Sequence, residues 1–229
     1  LTFDISDFDF DLPDALIARY PLDKRSHSRL LRLCGTSGDL DESKFADLPN
    51  LLGHNDILII NDTKVKKSRL IGRKKTGGKI EFLCVKIIAS NKADGLLKSN
   101  SKVIIGSRVY FDSKVWADIV CVNDDIFQLE FNCDVKDVLN DLGKIPIPPY
   151  FKRNVEEVDE KRYQTIYARH LGSLAAPTAG LHFDNDLMEK LKDKGITIGY
   201  ITLHVGLGTF KPVKTININN HQMHSESFF

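Results

Sequence analysis

Nothing in this sequence is apolar over the roughly 20 residues that a membrane-spanning helix needs. Its start, LTFDISDFDFDLP, is acidic and unlike a signal peptide. Bulk charge is missing too. The 32 basic and 31 acidic residues leave a net charge of +1, so binding to nucleic acid through a uniformly basic surface is excluded, and any such contact needs a local patch. The four cysteines, Cys34, Cys84, Cys121 and Cys133, are far apart and form no C-x-x-C. That argues against a disulfide framework and for a reduced, cytosolic chain with small buried thiols. There is no G-x-x-x-x-G-K-[ST], no H-E-x-x-H and no G-x-S-x-G, so the phosphate-loop, zinc-protease and serine-elbow chemistries lack their signatures. Gly206-Leu-Gly208 follows a strand-like run, but the third glycine of a dinucleotide turn is absent and Pro212 would interrupt the receiving helix.

What is present fits one large domain or two modest ones: 229 residues, 42% hydrophobic and 28% charged. The most unusual stretch is Gly172–Phe183, GSLAAPTAGLHF. It has neither a helical nor a strand period. Its small residues, with a fixed φ at Pro177 and a free one at Gly180, let a ligand or another backbone approach closely. A helix follows, with Asp184 as N-cap, Leu187, Met188 and Leu191 as its apolar stripe and Gly195 as its stop. His182 thus precedes a helix start. The plainer alternative is a tight packing loop with a core histidine.

Along the chain, residues 11–18 read as a short helix burying Leu12, Leu16 and Ile17. Leu30–Cys34 reads as a strand, and 45–52 as a short helical element. Asp56–Val65 reads as a strand buried on both faces that ends in Asn61-Asp62-Thr63-Lys64. Polar residues at such a strand end suit a site; they also suit an Asx turn that caps its own backbone.

From about Ile71 the pattern changes. A hairpin over Arg69–Ile88 turns at Thr76-Gly-Gly, and short strands over 102–105, 107–111, 114–122 and 126–131 follow. Their spacing suggests a small barrel. Arg69, Arg73, Lys74, Lys75 and Lys79 cluster on the hairpin, either to grip phosphates or as a solvated tip. A short helix over 134–142, closed by Gly143, leads to IPIPPYFKR, whose prolines hold it extended, either as a rigid connector out of the barrel or as a wall presenting Tyr150 and Arg153 to a ligand. Tyr163, Gln164 and Tyr167 come next, close together.

His182, His204, His221, His224 and Glu226 fall in one third of the chain. Histidine is the natural base near neutral pH, and an adjacent carboxylate can orient it. A metal site is the rival reading, since His221 and His224 are three apart and suit one helix face.

The stretches LPDALIA, RSHSRLL, NDTKV, SRLIGRKKTGGKIEFL, IPIPPYFKR, YQTIYA, GSLAAPTAGLHF, TLHVGLGTFKPV and HQMHSE together resemble the S-adenosylmethionine:tRNA ribosyltransferase-isomerase family of queuosine biosynthesis. The match runs nearly end to end, and the combination of APTAGLHF, LHVGLGTF and MHSE is highly specific. Ser26 and Ser68 depart from the commoner family residues.

The resemblance implies an α/β fold: a discontinuous domain over 1–70 and 147–229, interrupted by a β-barrel over 71–146. Family members usually continue past the MHSE motif with a further α/β block, so the discontinuous domain is expected to lack its C-terminal part. The implied activity moves the ribosyl part of S-adenosylmethionine onto 7-aminomethyl-7-deazaguanine at the tRNA wobble position. Adenine and methionine leave, and the sugar rearranges to give epoxyqueuosine. S-adenosylmethionine is then a consumed substrate rather than a cofactor, no metal is expected, and the enzyme is expected to be a cytoplasmic monomer.

Catalytic candidates are His182, His204, His224 and Glu226. Substrate-binding candidates are Asn61, Thr63, Arg69, Tyr150, Arg153, Tyr163, Gln164, Pro177, Thr178, Gly180, Gly206, Gly208, Thr209 and Phe210. Arg73, Lys74, Lys75 and Lys79 are the candidates for tRNA. Two rival functions stay open: a non-catalytic RNA-binding module or inactive fragment, and a metal-dependent hydrolase using His182, His221 and His224.

Overall fold

The computed structural model describes residues 3–210 and 212–229. The chain divides into two units. One runs up to Val65 and takes in Pro148–Asn154 and everything from Lys161; the other holds Lys66–Ile147 and Val155–Glu160. In chain order the strands and helices are β1 (Arg29–Leu33), β2 (Leu40–Lys44), α1 (Leu48–Leu51), β3 (Ile57–Asn61) and β4 (Thr63–Val65). Then come β5 (Arg69–Lys74), β6 (Lys79–Ala89), β7 (Lys92–Ser99), β8 (Arg108–Tyr110), β9 (Trp116–Asn123), β10 (Ile126–Phe131) and α2 (Val135–Asp141). The chain closes with α3 (Glu157–Arg162), β11 (His170–Ser173), α4 (Asn185–Asp193), β12 (Thr197–Ile201), β13 (Leu203–His204) and β14 (Ser227–Phe228).

The second unit is a closed barrel in the order β10-β7-β6-β5-β8-β9. Strand alternation sends Leu70, Ile80, Phe82, Val109, Ile119 and Leu129 inward, all fully buried. Gly95 is needed because a Cβ there would stand 2.6 Å from the Phe82 ring. Asp134 caps α2 by accepting the Lys136 N–H at 2.7 Å, and Val135, Val138 and Leu139 join the same core. Sequence reading misses β7 and places a strand over 102–105 that is not there. KADGLLKS carries two lysines, an aspartate and a glycine, and only barrel closure makes it a strand.

In the first unit β3 runs parallel to β12 and β4 parallel to β11, while β1–β2 and β13–β14 are antiparallel pairs. The helix α4 forms as its sequence predicts. Asp184 accepts the Leu187 N–H at 3.0 Å, and Gly195 ends the helix at φ +80°. Leu187, Met188 and Leu191 pack with Phe45, Ile60, Phe183 and Ile196, each fully buried side chain contributing about 1.5–3 kcal/mol.

Two expectations are corrected. β3 is not buried on both faces: Ile57 and Ile59 are exposed and Ile60 faces the core. Residues 11–18 form only a 3-10 turn at Asp14–Leu16, with Leu12 and Leu16 exposed. A single turn has no i→i+4 ladder with which to hold an apolar stripe on one side.

Candidate active site

Two of the parallel strands of the first unit, β3 and β11, end in polar side chains. Asn61 closes β3, and its Oδ1 accepts the Thr63 N–H at 3.1 Å, the expected Asx turn. The same amide does more. Oδ1 also accepts the Leu203 N–H at 3.1 Å, and Nδ2 donates to the Leu203 carbonyl at 2.9 Å. That latch sets the position of the next residue, His204, whose Nδ1 lies 2.7 Å from the buried Thr63 hydroxyl. Gly172 makes room for the ring: a Cβ there would sit 2.5 Å from His204 Nε2. The neighbouring Ser173 is fully buried, donating to the Ala175 carbonyl at 2.7 Å and accepting the Val205 N–H at 3.0 Å.

His170 is not a sequence candidate, and Asp62 enters there only as part of the Asn61–Lys64 strand end. Asp62 is buried, accepts the Thr202 hydroxyl at 2.6 Å and faces His170 Nε2 at 3.7 Å. The pairing of β11 with β4 puts His170 opposite Thr63. His170 and His204 both stand edge-on to Phe229, with ring centroids 5.6 and 5.5 Å away. The NDTK stretch already held Asp62; nothing local marks His170, because a parallel pairing is invisible in sequence.

A second group forms around Glu226. Its Oε2 accepts the Gly206 N–H at 2.6 Å, and its Oε1 lies 2.9 Å from His224 Nε2. Gly208 lies against the His224 ring so closely that a Cβ would overlap it. The carboxylate fixes the ring, a suitable arrangement for moving a proton. Thr209 is exposed and Phe210 half-buried in the 3-10 turn Leu207–Phe210. The expected shared helix face for His221 and His224 does not exist, since the local 3-10 turn ends at Asn220. No group of three or more His, Cys, Asp or Glu is arranged to hold a metal among the described residues.

His182 makes its contacts with the Arg25–Ser28 turn. Its Nδ1 is 2.9 Å from Ser28 Oγ, and its ring packs against Phe45 at 5.3 Å. Ser28 Oγ also lies 3.2 Å from the Arg25 carbonyl, which can take its proton. Burial, and then the Arg25 charge, lower the His182 pKa, because both disfavour the charged ring. Arg25 itself is anchored to the Leu181 and Lys161 carbonyls at 2.9 and 3.2 Å.

The remaining candidates are dispersed. Pro177 precedes the 3-10 turn Thr178–His182, in which Thr178 is exposed and Gly180 buried. A Cβ on Gly180 would strike the Tyr167 hydroxyl, and burial pushes that phenol up to about 12. Gln164 clamps Val65, donating to its carbonyl at 2.8 Å and accepting its N–H at 3.0 Å. Tyr163 is buried with its ring 6.5 Å from Phe151, and Tyr150 is exposed. Arg153 lies over the Tyr20 ring at 4.4 Å and donates to the Arg19 carbonyl at 2.7 Å.

Arg69 belongs to the barrel unit, donating to the Ile147 carbonyl at 3.0 Å and pairing with Glu81 at 3.2 Å. Lys74 is held by Ser101 and the Lys102 carbonyl at 2.8–3.0 Å. Arg73, Lys75 and Lys79 have no ion pair among the described residues.

The queuosine biosynthesis protein model matches residues 5–229. The chain belongs to that family. It is 46% identical over 222 residues to the S-adenosylmethionine:tRNA ribosyltransferase-isomerase of Francisella philomiragia, covering 96% of this chain and 65% of the relative. The enzyme of the same name from Francisella tularensis subsp. mediasiatica is 45% identical over the same shares. The chain thus spans about 65% of the length of these queuosine biosynthesis relatives. Among solved structures, S-adenosylmethionine tRNA ribosyltransferase from Thermotoga maritima is 26% identical, with a TM-score of 0.36, covering 87% of this chain and 58% of that one.

Proposed function

We propose that this chain carries the transferase-isomerase chemistry of its relatives. It moves the ribosyl part of S-adenosylmethionine onto 7-aminomethyl-7-deazaguanine in tRNA and rearranges the sugar to give epoxyqueuosine, releasing adenine and methionine. The observation that carries this reading is 45–46% identity to enzymes so named over 96% of the chain. S-adenosylmethionine is a substrate here, and no cofactor is called for.

The chemistry needs a base. The sulfonium makes the C5′ hydrogens of the ribose acidic, and their removal starts the rearrangement as adenine departs. The aminomethyl group then attacks, and methionine leaves. His182, whose pKa is lowered by burial and by Arg25 and whose Nδ1 is held by Ser28, suits proton abstraction. His204 on Thr63, and His224 on Glu226, suit proton relay to the leaving groups. Backbone carbonyls of the Pro- and Gly-rich loops, with the aromatic faces of Tyr150 and Phe210, suit the passing sulfonium cation. The same reading takes the enzyme to be a cytoplasmic monomer.

The test is mass spectrometry of nucleosides from precursor tRNA incubated with the chain and S-adenosylmethionine. Appearance of epoxyqueuosine supports the reading; unchanged 7-aminomethyl-7-deazaguanine contradicts it.

A further inference from the structure

The barrel carries a cross-strand row that the chemistry above does not use. Lys79 pairs with Arg73, Arg73 with Tyr110, and Tyr110 with Trp116. Directly paired residues share a face. Their inward neighbours Ile80, Gly72, Val109 and Ala117 are buried, so the row lies on the outer face. Four adjacent strands bring the side chains together over about 15 Å, at about 4.8 Å per strand.

Two features of the row favour a ligand over a solvated tip. Arg73 and Lys79 are like charges directly opposite each other, a pairing that destabilises a sheet, and neither has an ion pair among the described residues. Nearby carboxylates are engaged elsewhere: Glu81 on Arg69 and Asp118 on Arg108. Beside the cations Trp116 is stacked by a guanidinium. Arg108 lies 3.5 Å from the centroid of the Trp116 ring and is clamped by both Asp118 oxygens at 2.8 Å. A guanidinium fixed this way is itself a planar stacking surface.

We propose that this face binds a single-stranded segment of RNA. Arg73, Lys79 and the adjacent exposed Lys75 take the phosphates, and unpaired bases stack on Tyr110 and on the Arg108–Trp116 pair. Cations bordering aromatic faces on a sheet are the chemistry that recognises unstacked bases. The choice of RNA rests on the function proposed above; the platform itself rests on the barrel's own strand register.

Trp116 is the chain's one tryptophan, so its fluorescence reports this face alone. The full chain is titrated with single-stranded RNA of about 12 nucleotides, with the matching duplex, and with poly-glutamate. Single-stranded RNA should quench Trp116 saturably and more strongly than either control. Tyr110→Ala should weaken binding about 10-fold, and Tyr110→Phe should restore it. Arg73→Ala with Lys79→Ala should weaken binding and lower the salt slope by about 1.4.

RNA binding without quenching, binding indifferent to Tyr110→Ala, equal competition by poly-glutamate, or no binding would each overturn the proposal. Epoxyqueuosine formation that survives those results would leave the transferase reading intact. Quenching without epoxyqueuosine would leave the platform and remove the transferase.

Discussion

The Thr63 hydroxyl and His204 Nδ1, 2.7 Å apart, tie the start of β4 to the end of β13. Thr63 is fully buried, so this bond is sheltered from water and defines where the imidazole stands. Thr63→Val keeps the shape and removes the hydroxyl. The expected cost in stability is about 1 kcal/mol, with at least about a 10-fold loss of turnover. Thermal melts and histidine NMR check it: the His204 resonances should shift while the fold persists.

Gly208 and Gly172 each lie against a histidine ring, and neither has a positive φ. Alanine at either position therefore acts by contact alone. Gly208→Ala should displace His224 from Glu226, and Gly172→Ala should displace His204 from Thr63. Displacements near 1 Å cost about 100-fold in rate. Turnover measured beside the melting temperature separates this from unfolding, because both variants should melt within a few degrees of wild type.

His182 makes stability depend on pH in a definite direction. Its folded pKa is lowered by burial and by Arg25, below the ordinary value near 6.5. Between the two values the unfolded chain binds more protons, so stability rises with pH. The His182 contribution is complete above the unfolded pKa and is lost as pH falls through the folded one. Denaturant melts from pH 7.5 down to 5 should show wild type losing stability more steeply than His182→Gln.

The cysteines should differ sharply in reactivity. Hydrogen bonds with Ser37 and Thr36 pull Cys34 down to about 6, whereas burial pushes Cys84 up to about 11. At pH 7 iodoacetamide should modify Cys34 first and spare Cys84 in the folded chain. Peptide mass mapping reads the order, and Ser37→Ala should slow the Cys34 reaction.

Local signals were legible where local physics acts. The Asp184 cap, the Leu187–Leu191 stripe and the Gly195 stop all mark α4, and the Thr76-Gly-Gly turn marks the β5–β6 hairpin. Signals that depend on distant partners were not legible. β7 carries no strand pattern of its own and is made a strand by β6 and β10 on either side. Four apolar residues in β3 suggest burial on both faces, yet Ile57 and Ile59 lie open. In the site, the histidines stood out by chemistry alone. The Asp62–His170 approach did not, because it is made by the β4–β11 register over a separation of about a hundred residues.

The most direct measurement is adenine release from S-adenosylmethionine by the purified chain, with and without tRNA carrying 7-aminomethyl-7-deazaguanine. The account predicts release that requires this tRNA and falls sharply in His182→Ala and His224→Ala. Release that is absent, that proceeds equally without tRNA, or that is untouched in both variants would contradict it.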